Sequence, residues 1–214
     1  MTRALFLLLV VACPAAAQSG WSVGGRMGII EHRVAAGFGN EHFSGWVIGL
    51  EVERQFGTRV HVQLLGQGAE LRPAAAGDLD RRIGEIAARA RIDVRSWWGL
   101  YSAVTLRVVA SDAARQRWRV VRIGAELRPA FSGGSMRAIG RFGVIPVAAI
   151  SGLSTASFAF DGAVGLEYER PGFTLGMLYG LERFAFPSEN GVRRSEQMST
   201  LTLQGGIRLA RRRV

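Results

Sequence analysis

The chain has 214 residues and a net charge of +10, and 48% of its residues are hydrophobic, which is too many for an intrinsically disordered protein. Its single cysteine excludes a disulfide framework and a cysteine-built zinc site. The 28 glycines are about twice the usual share, and all 27 basic residues are arginine. After the first dozen residues no apolar run is long enough for a membrane-spanning helix.

The first element in chain order is an export segment. A short positive start precedes an apolar core at residues 4–12 and the small residues 15–17. This order predicts a signal peptide over residues 1–17 and a single domain over residues 18–214. Lipid attachment at Cys13 is an alternative processing route. Because both routes export the chain, nucleic acid is excluded as the partner of its positive charge.

From residue 21 onward, apolar residues alternate with small or polar ones, and this period of two predicts β-strands. Residues 158–168 illustrate the pattern, and residues 173–182 repeat it after a Pro-Gly turn. The segments predict an all-β chain of ten strands in an up-and-down antiparallel order, with eight strands as the alternative. They are residues 21–29, 46–53, 59–64, 86–95, 100–108, 121–128, 137–144, 158–169, 173–182 and 200–209.

One segment also fits a helix. Residues 78–92 are rich in alanine, arginine, glutamate and isoleucine, so a helix there is an alternative to a strand. On that reading Asp80 is a candidate helix cap, whereas in a strand protein Asp78 and Asp80 are solvated loop residues.

The predicted connections alternate in length. Short turns are expected near residues 55–57, 96–98, 129–136 and 170–172. Longer loops are expected near residues 32–44, 69–82, 110–115, 149–156 and 185–195. A meander with one tight rim and one rim of long loops follows. Strands of about eleven residues are expected, which matches the roughly 9–11 residues that a tilted strand needs to cross a bilayer.

Alternation alone does not say which face of the barrel is outside. A membrane barrel has its apolar face outward, and a soluble lipocalin-like ligand-binding barrel has it inward. Many glycines on the polar face fit a crowded interior, and arginines and carboxylates on that face can pair across a lumen. Aromatic residues near the strand ends fit interfacial girdles, at Trp21, Trp46, Tyr168 and Phe173. These features favour a transmembrane barrel, in which internal pairing is expected to absorb most of the charge.

The export segment, the bilayer-length strands and the alternating connections together resemble the small outer-membrane β-barrel proteins of Gram-negative bacteria. The resemblance covers the whole of residues 18–214, although the chain ends in Arg211–Arg213 and Val214 without the usual terminal aromatic residue. It implies insertion by the barrel assembly machinery and a structural, interaction or narrow-pore role. Ten strands with opposed charges inside favour a plugged lumen, since wide channels use more strands. The oligomeric state is left open.

Few residues suggest catalysis. His61 lies on the polar face and is expected to make a structural hydrogen bond. His42 and Ser44 share one strand face and resemble the base and nucleophile of outer-membrane lipid A deacylases, with Glu31 or Glu41 as the orienting acid. This esterase is the alternative to a non-enzymatic barrel, for which no catalytic residue, cofactor or metal is predicted.

The remaining external candidates are arginines in the long loops. Arg33, the pair Arg81-Arg82 and the pair Arg193-Arg194 are expected there, where lipopolysaccharide in the outer leaflet presents phosphate groups. Arg211–Arg213 are expected at the opposite rim as a solvated periplasmic tail.

Overall fold

The computed structural model describes residues 20–37, 39–75, 79–188 and 191–209, and most of these lie in strands. In chain order the strands are β1 (Trp21–Ala36), β2 (Gly39–Phe56), β3 (Val60–Pro73), β4 (Arg81–Arg95), β5 (Trp98–Ala110), β6 (Arg115–Leu127), β7 (Ala130–Phe131), β8 (Met136–Ile150), β9 (Phe158–Arg170), β10 (Phe173–Ala185) and β11 (Ser195–Leu209). β7 has two residues and precedes one turn of 3-10 helix at Ser132–Gly134. The other ten strands form the wall.

The wall is a closed antiparallel barrel. Strands consecutive along the chain pair with each other, and β1 pairs with β11 so that Trp21 lies opposite Leu209. The barrel is closed because β6 pairs directly with β8, although the short β7 lies between them in the chain. The described residues therefore confirm the predicted up-and-down barrel with ten strands, and the count of eight was wrong.

The apolar face points outward. On β5, Tyr101, Thr105 and Arg107 are buried inside the barrel, whereas Leu100 and Leu106 are more than half exposed on its outer surface. The same alternation runs through the other wall strands, so an apolar belt surrounds the barrel. A lipocalin-like barrel requires the opposite arrangement, and that alternative was wrong. No helix within the described residues is long and apolar enough to cross a membrane.

The segment with helical composition is a strand. β4 pairs with β3 on one side and with β5 on the other along almost its whole length. Its apolar residues alternate between the two faces, with Ile83 inside and Ile86 outside. Sheet pairing and burial outweigh the intrinsic helix propensity of its alanines. Asp80 precedes this strand and caps no helix, and Asp78 lies outside the described residues, as do residues 1–17 with Cys13 and the tail Arg211–Arg213.

The predicted contrast in connection length was too strong. β1 and β2 continue through most of residues 32–44, so the first expected long loop is largely strand. β3 continues to Pro73 and β4 begins at Arg81, so half of the second, residues 69–82, is strand. The strands persist above the apolar belt because their inward residues stay buried while their outward residues become polar. We call the rim that holds the β1–β2, β3–β4, β5–β6, β8–β9 and β10–β11 connections the loop rim. We call the other, where Trp21 and Leu209 lie, the turn rim.

A β-bulge changes which residues of β8 face inward. The β6–β8 register shifts between Val121 and Ile123, where β8 has one residue more than β6. Pro146, which has no backbone N–H to donate, lies in this irregular stretch. Beyond it, the inward positions change from the odd residue Ile145 to the even residues Ala148 and Ile150, which are all buried. The bulge therefore directs apolar side chains into the loop-rim half of the interior.

Candidate functional site: the barrel interior

The loop-rim half of the interior is filled by a single apolar cluster, to which all ten wall strands contribute. We call this cluster the seal. Its members are Ile30, Phe43, Val47, Ala69, Leu71, Ile83, Val109, Trp118, Val120, Ile145, Ala148, Ile150, Ala159, Phe184, Phe186 and Met198. The sequence places them on the same strand faces that carry charge nearer the turn rim. The interior at this level is therefore packed like a protein core.

The centre of the seal is aromatic. The rings of Trp118 and Phe184 meet edge to face with centroids 5.2 Å apart, and both side chains are almost completely buried. His32 lies edge-on to Trp118 at 6.5 Å and tilted against Phe43 at 6.3 Å. Edge-to-face packing of this kind is favourable beyond the area it buries. The aromatic centre thus spans from β1 and β2 to β6 and β10.

The seal also holds a small set of polar side chains that satisfy one another. His32 Nε2 lies 3.0 Å from Glu196 Oε2, and Arg194 donates to the other oxygen of that carboxylate at 2.7 Å. Arg81 donates to Glu41 at 2.5 Å and its guanidinium lies 3.7 Å from the Phe43 ring centroid. The expectation that Arg81 is an exposed loop residue was wrong, since the inward parity of β4 directs it into the barrel. Arg194 likewise is committed to Glu196.

Below the seal, a carboxylate ties opposite walls together. Glu182 on β10 accepts hydrogen bonds from Arg107 on β5 at 2.9 Å and from Arg122 on β6 at 2.5 Å. Arg107 also donates to Glu85 at 2.6 Å. β10 adjoins neither β5 nor β6 in the sheet, so these bonds cross the lumen. Each buried charge thereby gains a partner, which offsets part of its desolvation cost.

A second junction lies nearer the turn rim. Glu126 accepts hydrogen bonds from Arg89 and from Arg91, the latter at 2.9 Å. Tyr101 donates to Asp161, with 2.9 Å between its hydroxyl and Oδ2. Further ion pairs join Arg26 to Glu51, Arg128 to Glu167, Arg137 to Glu169 and Arg208 to Glu169. The predicted pairing across the lumen is present in the structure.

These charged groups line a cavity of about 770 Å³. Its lining runs from Thr58, Ser96 and Arg208 at the turn rim to Ile30 and Met198 at the edge of the seal. The cavity therefore reaches the turn rim at one end and the apolar cluster at the other.

His61 lies near the turn-rim end of this cavity. Its Nδ1 is 3.0 Å from Glu53 and its Nε2 is 3.1 Å from Asp93, so both ring nitrogens are engaged by carboxylates on the neighbouring strands. This is the structural role predicted for it.

Within the described ranges, no group of three or more His, Cys, Asp or Glu side chains is arranged to hold a metal ion.

The charges inside the barrel balance one another. The inward arginines are Arg26, Arg81, Arg89, Arg91, Arg107, Arg122, Arg128, Arg137, Arg141, Arg194 and Arg208. The inward carboxylates are Glu41, Glu51, Glu53, Glu85, Asp93, Glu126, Asp161, Glu167, Glu169, Glu182 and Glu196. The two lists are equal in number, so internal pairing leaves the net charge of +10 unexplained. The expectation that pairing absorbs most of the charge was wrong, because the unbalanced arginines of the described residues lie on the outer surface and at the rims.

The His42 and Ser44 pair lies on the outer surface at the loop rim. Ser44 is opposite Glu31 in the β1–β2 register, and the Glu31 carboxylate is 3.7 Å from His42 Nε2. That nitrogen has no hydrogen-bond partner in the described part of the chain, so it does not accept a hydrogen bond from Ser44. Glu41 faces the interior and pairs with Arg81. The structure brings Glu31 and His42 together but separates Glu41 from them.

No protein-family model matches the chain, and no curated protein matches it in sequence. Solved structures do match its fold. The outer-membrane protease OmpT from Escherichia coli superposes with a TM-score of 0.56 at 8% identity, over 89% of this chain and 97% of OmpT. An outer-membrane channel from Pseudomonas putida F1 superposes with a TM-score of 0.52 at 10% identity, over 91% of this chain and 97% of the channel. LpxR from Salmonella typhimurium superposes with a TM-score of 0.50 at 7% identity, over 88% of this chain and 99% of LpxR.

The chain has the fold of the Gram-negative outer-membrane β-barrels. Its neighbours include a protease and a channel by name, and at identities near 10% they share the fold alone. The fold supports an outer-membrane location for this barrel and assigns it to no subfamily.

Sequence reasoning about this outer-membrane barrel missed the seal. The signal was present, because the loop-rim ends of several strands carry consecutive apolar residues and so have no polar face. Examples are Ile29 with Ile30, Val108 with Val109 and Val120 with Val121. Trp46, Val47 and Ile48 make the same break in the pattern on β2. Two apolar neighbours on one strand place one side chain inside and the other outside.

Proposed function

We propose that this protein is a sealed, non-conducting outer-membrane barrel with a structural or interaction role at the cell surface. The observation that carries the proposal is the seal, to which all ten wall strands contribute and in which Trp118 and Phe184 are almost completely buried. A hydrated ion cannot cross such a region without losing its water, which costs far more than thermal energy. Below the seal, hydrogen bonds from Arg107 and Arg122 to Glu182 cross the lumen as a second obstruction.

The proposal includes the export route of the chain and the orientation of the barrel in the outer membrane. Residues 1–17 serve as the signal peptide, and the barrel assembly machinery inserts the remainder. The turn rim, which holds the ends of the first and last strands, faces the periplasm, and the loop rim faces the exterior. The cavity then opens to the periplasm and is closed from outside by the seal. A bulky impermeant maleimide tests this orientation: in intact cells it labels Arg193→Cys at the loop rim but not Thr58→Cys at the turn rim.

Proteoliposome flux tests the absence of a pore. Vesicles that contain the refolded barrel are expected to retain potassium and a small sugar as well as protein-free vesicles do. The double variant Trp118→Ser and Phe184→Ser, which removes both central rings of the seal, is expected to leak measurably faster. Trp46→Ser and Phe158→Ser on the outer surface are the matched control and should retain both solutes. Rapid efflux through the unmodified barrel contradicts the proposal.

We further propose that the role is non-enzymatic. The structure leaves His42 Nε2 without a hydrogen-bond partner among the described residues, although its position beside Glu31 keeps a lipid esterase as the alternative. Both candidate side chains face the side on which lipid lies. Incubation with lipid A and measurement of released fatty acid separates the two readings. No release is expected, whereas release that is lost in Ser44→Ala identifies an esterase.

A further inference from the structure

Exposed arginines lie on the outer surface at both rims, and more of them lie at the loop rim. Because the interior is balanced, the excess arginines face outward or lie at the ends of the strands. Seven exposed arginines point outward at the loop rim: Arg33, Arg72, Arg82, Arg115, Arg117, Arg119 and Arg183. Among the described residues at this rim, Glu31 and Glu70 face outward from the strands, and Asp80 and Asp112 are exposed in the connections. This surface is suited to an anionic partner.

The densest group is on β6, where Arg115, Arg117 and Arg119 occupy three successive outward positions. We call these residues the β6 arginine column. Successive outward residues on a strand are about 7 Å apart, so the guanidinium groups form a ladder along the barrel wall. Nearer the turn rim, the outward residues Val121 and Ile123 of the same strand belong to the apolar belt. The column therefore begins where the belt of β6 ends.

The strand beside the column remains apolar at the same height. On β5, Leu106, Val108 and Ala110 lie directly opposite Arg119, Arg117 and Arg115. On the other side, Ala149 of β8 is opposite Arg119. The column is thus set against a surface that contacts lipid, and its aliphatic stems can lie along that surface while the guanidinium groups reach the polar boundary. Charges placed in this way meet lipid headgroups rather than open water.

The column has no internal partner. No carboxylate lies within 4.0 Å of Arg115, Arg117 or Arg119 anywhere in residues 20–37, 39–75, 79–188 and 191–209. By contrast, Arg33 pairs with Glu31 at 2.8 Å and Arg82 lies 4.0 Å from Glu70. Five N–H groups in a planar fork match the oxygens of a phosphate, so an unpaired arginine at a lipid boundary favours that group.

We propose that the β6 arginine column binds the phosphate groups of anionic lipid in the leaflet that surrounds the loop rim. The partner class is a phosphate-bearing lipid, of which lipopolysaccharide and phosphatidylglycerol are members. The proposal requires that the barrel spans a bilayer, but it does not depend on the seal. A finding that the barrel conducts ions would leave the lipid-binding proposal standing. A finding that the column binds no lipid would leave the sealed-barrel proposal standing.

Native mass spectrometry of the barrel in a non-ionic detergent tests the proposal, with phosphatidylglycerol as the probe and an uncharged glycosyl diacylglycerol of the same chain length for comparison. The variant Arg115→Gln, Arg117→Gln and Arg119→Gln is compared with Arg59→Gln, Arg95→Gln and Arg170→Gln, which removes the same charge from exposed positions at the turn rim. Heat-modifiable migration on a gel confirms that each variant is folded. The single variant Arg119→Gln serves if the triple does not fold.

The unmodified barrel is expected to retain phosphatidylglycerol over the neutral lipid. Each arginine near an anionic surface contributes about a fivefold effect, so the column variant should bind it roughly 100-fold more weakly. The turn-rim variant should bind it as the unmodified barrel does. Equal losses in the two triple variants, equal retention of the neutral lipid, or displacement by millimolar inorganic phosphate overturns the proposal. The proposal is also overturned if the column substitutions leave retention of phosphatidylglycerol unchanged but an added second protein abolishes it. That result points to a protein partner.

Discussion

The two halves of the barrel interior are built from the same strands but hold different material. In the loop-rim half, Phe43, Trp118 and Phe184 pack in an apolar core beside the buried pair of His32 and Glu196. In the turn-rim half, arginines and carboxylates line a cavity of about 770 Å³. One half is stabilised by burial of apolar surface, and the other by pairing of charges. The boundary lies at Arg107, which pairs with Glu182 and lies 5.6 Å from the Trp118 ring centroid.

This difference shows that the wall and its contents can be specified separately. On β2 the apolar belt continues past this boundary, since Trp46 and Ile48 face outward on either side of Val47 in the seal. The inward positions of β2 change along this stretch, from Glu53 and Glu51 to Val47 and Phe43. On β6 the outward positions change as well, from Ile123 and Val121 to Arg119 and Arg117. A strand such as β2 can therefore change its inward residues while its membrane surface stays the same.

The largest predicted effect is loss of the seal's central ring. Trp118→Ala leaves a cavity in a dry, close-packed region and is expected to lower the free energy of unfolding by about 3–5 kcal/mol. Denaturant unfolding of the barrel in lipid vesicles, followed by tryptophan fluorescence and gel mobility, measures it. Trp46→Ala, on the lipid-facing surface, is the control and should cost distinctly less. Equal losses for the two would show that the loop-rim interior is not packed.

A smaller effect is expected in the charged half. Glu182→Gln removes the carboxylate shared by Arg107 and Arg122 and leaves two buried guanidinium groups with weaker partners. The cavity beside them admits water, so a loss of about 2–3 kcal/mol is expected. The same unfolding measurement applies. Glu70→Gln, which removes an exposed carboxylate 4.0 Å from Arg82, is the control and should change stability by less than about 1 kcal/mol.

Glycine-to-alanine substitutions are expected to change stability differently in the interior and on the exterior of the barrel. A Cβ at Gly124 would overlap the Phe142 carbonyl oxygen and lie 2.6 Å from Gly143 Cα, so Gly124→Ala forces backbone apart and should cost about 1–3 kcal/mol. At Gly84, which faces outward, a Cβ meets nothing within 4 Å. Gly84→Ala should therefore be neutral or stabilising by up to about 1 kcal/mol. Thermal shift of heat-modifiable mobility compares the two, and the reverse order would contradict the assignment of the faces.

Much of the wall was predictable from the sequence. The period of two identified the strands, and the glycines of the polar face correctly indicated a crowded interior, as Gly124 illustrates. Opposed charges on that face predicted pairs such as Arg26 with Glu51. These features succeed because each depends on one strand and its immediate neighbours, where side chains alternate between the faces.

The seal and the connections were not predicted, for a physical reason. Where a strand is apolar on both faces, as at Trp46 to Ile48, a face assignment based on alternation loses the inward residue. Residues 32–44 contain polar outward side chains and were therefore assigned to a loop, although Val34 and Phe43 are buried inside. The network around Glu182 joins strands distant in the chain and requires the closed barrel to be known.

Thiol reactivity inside the folded barrel distinguishes the two halves most directly. Ala87 lines the cavity and Ala148 lies in the seal, and cysteine is close to alanine in size, so Ala87→Cys and Ala148→Cys form a matched pair in a chain whose single cysteine is Cys13. With residues 1–17 removed, a small charged methanethiosulfonate reagent is predicted to modify Cys at position 87 in the folded barrel. Modification at position 148 is predicted only after unfolding. Equal rates at the two positions in the folded state would show that water and ions reach the loop-rim half, which contradicts a sealed barrel.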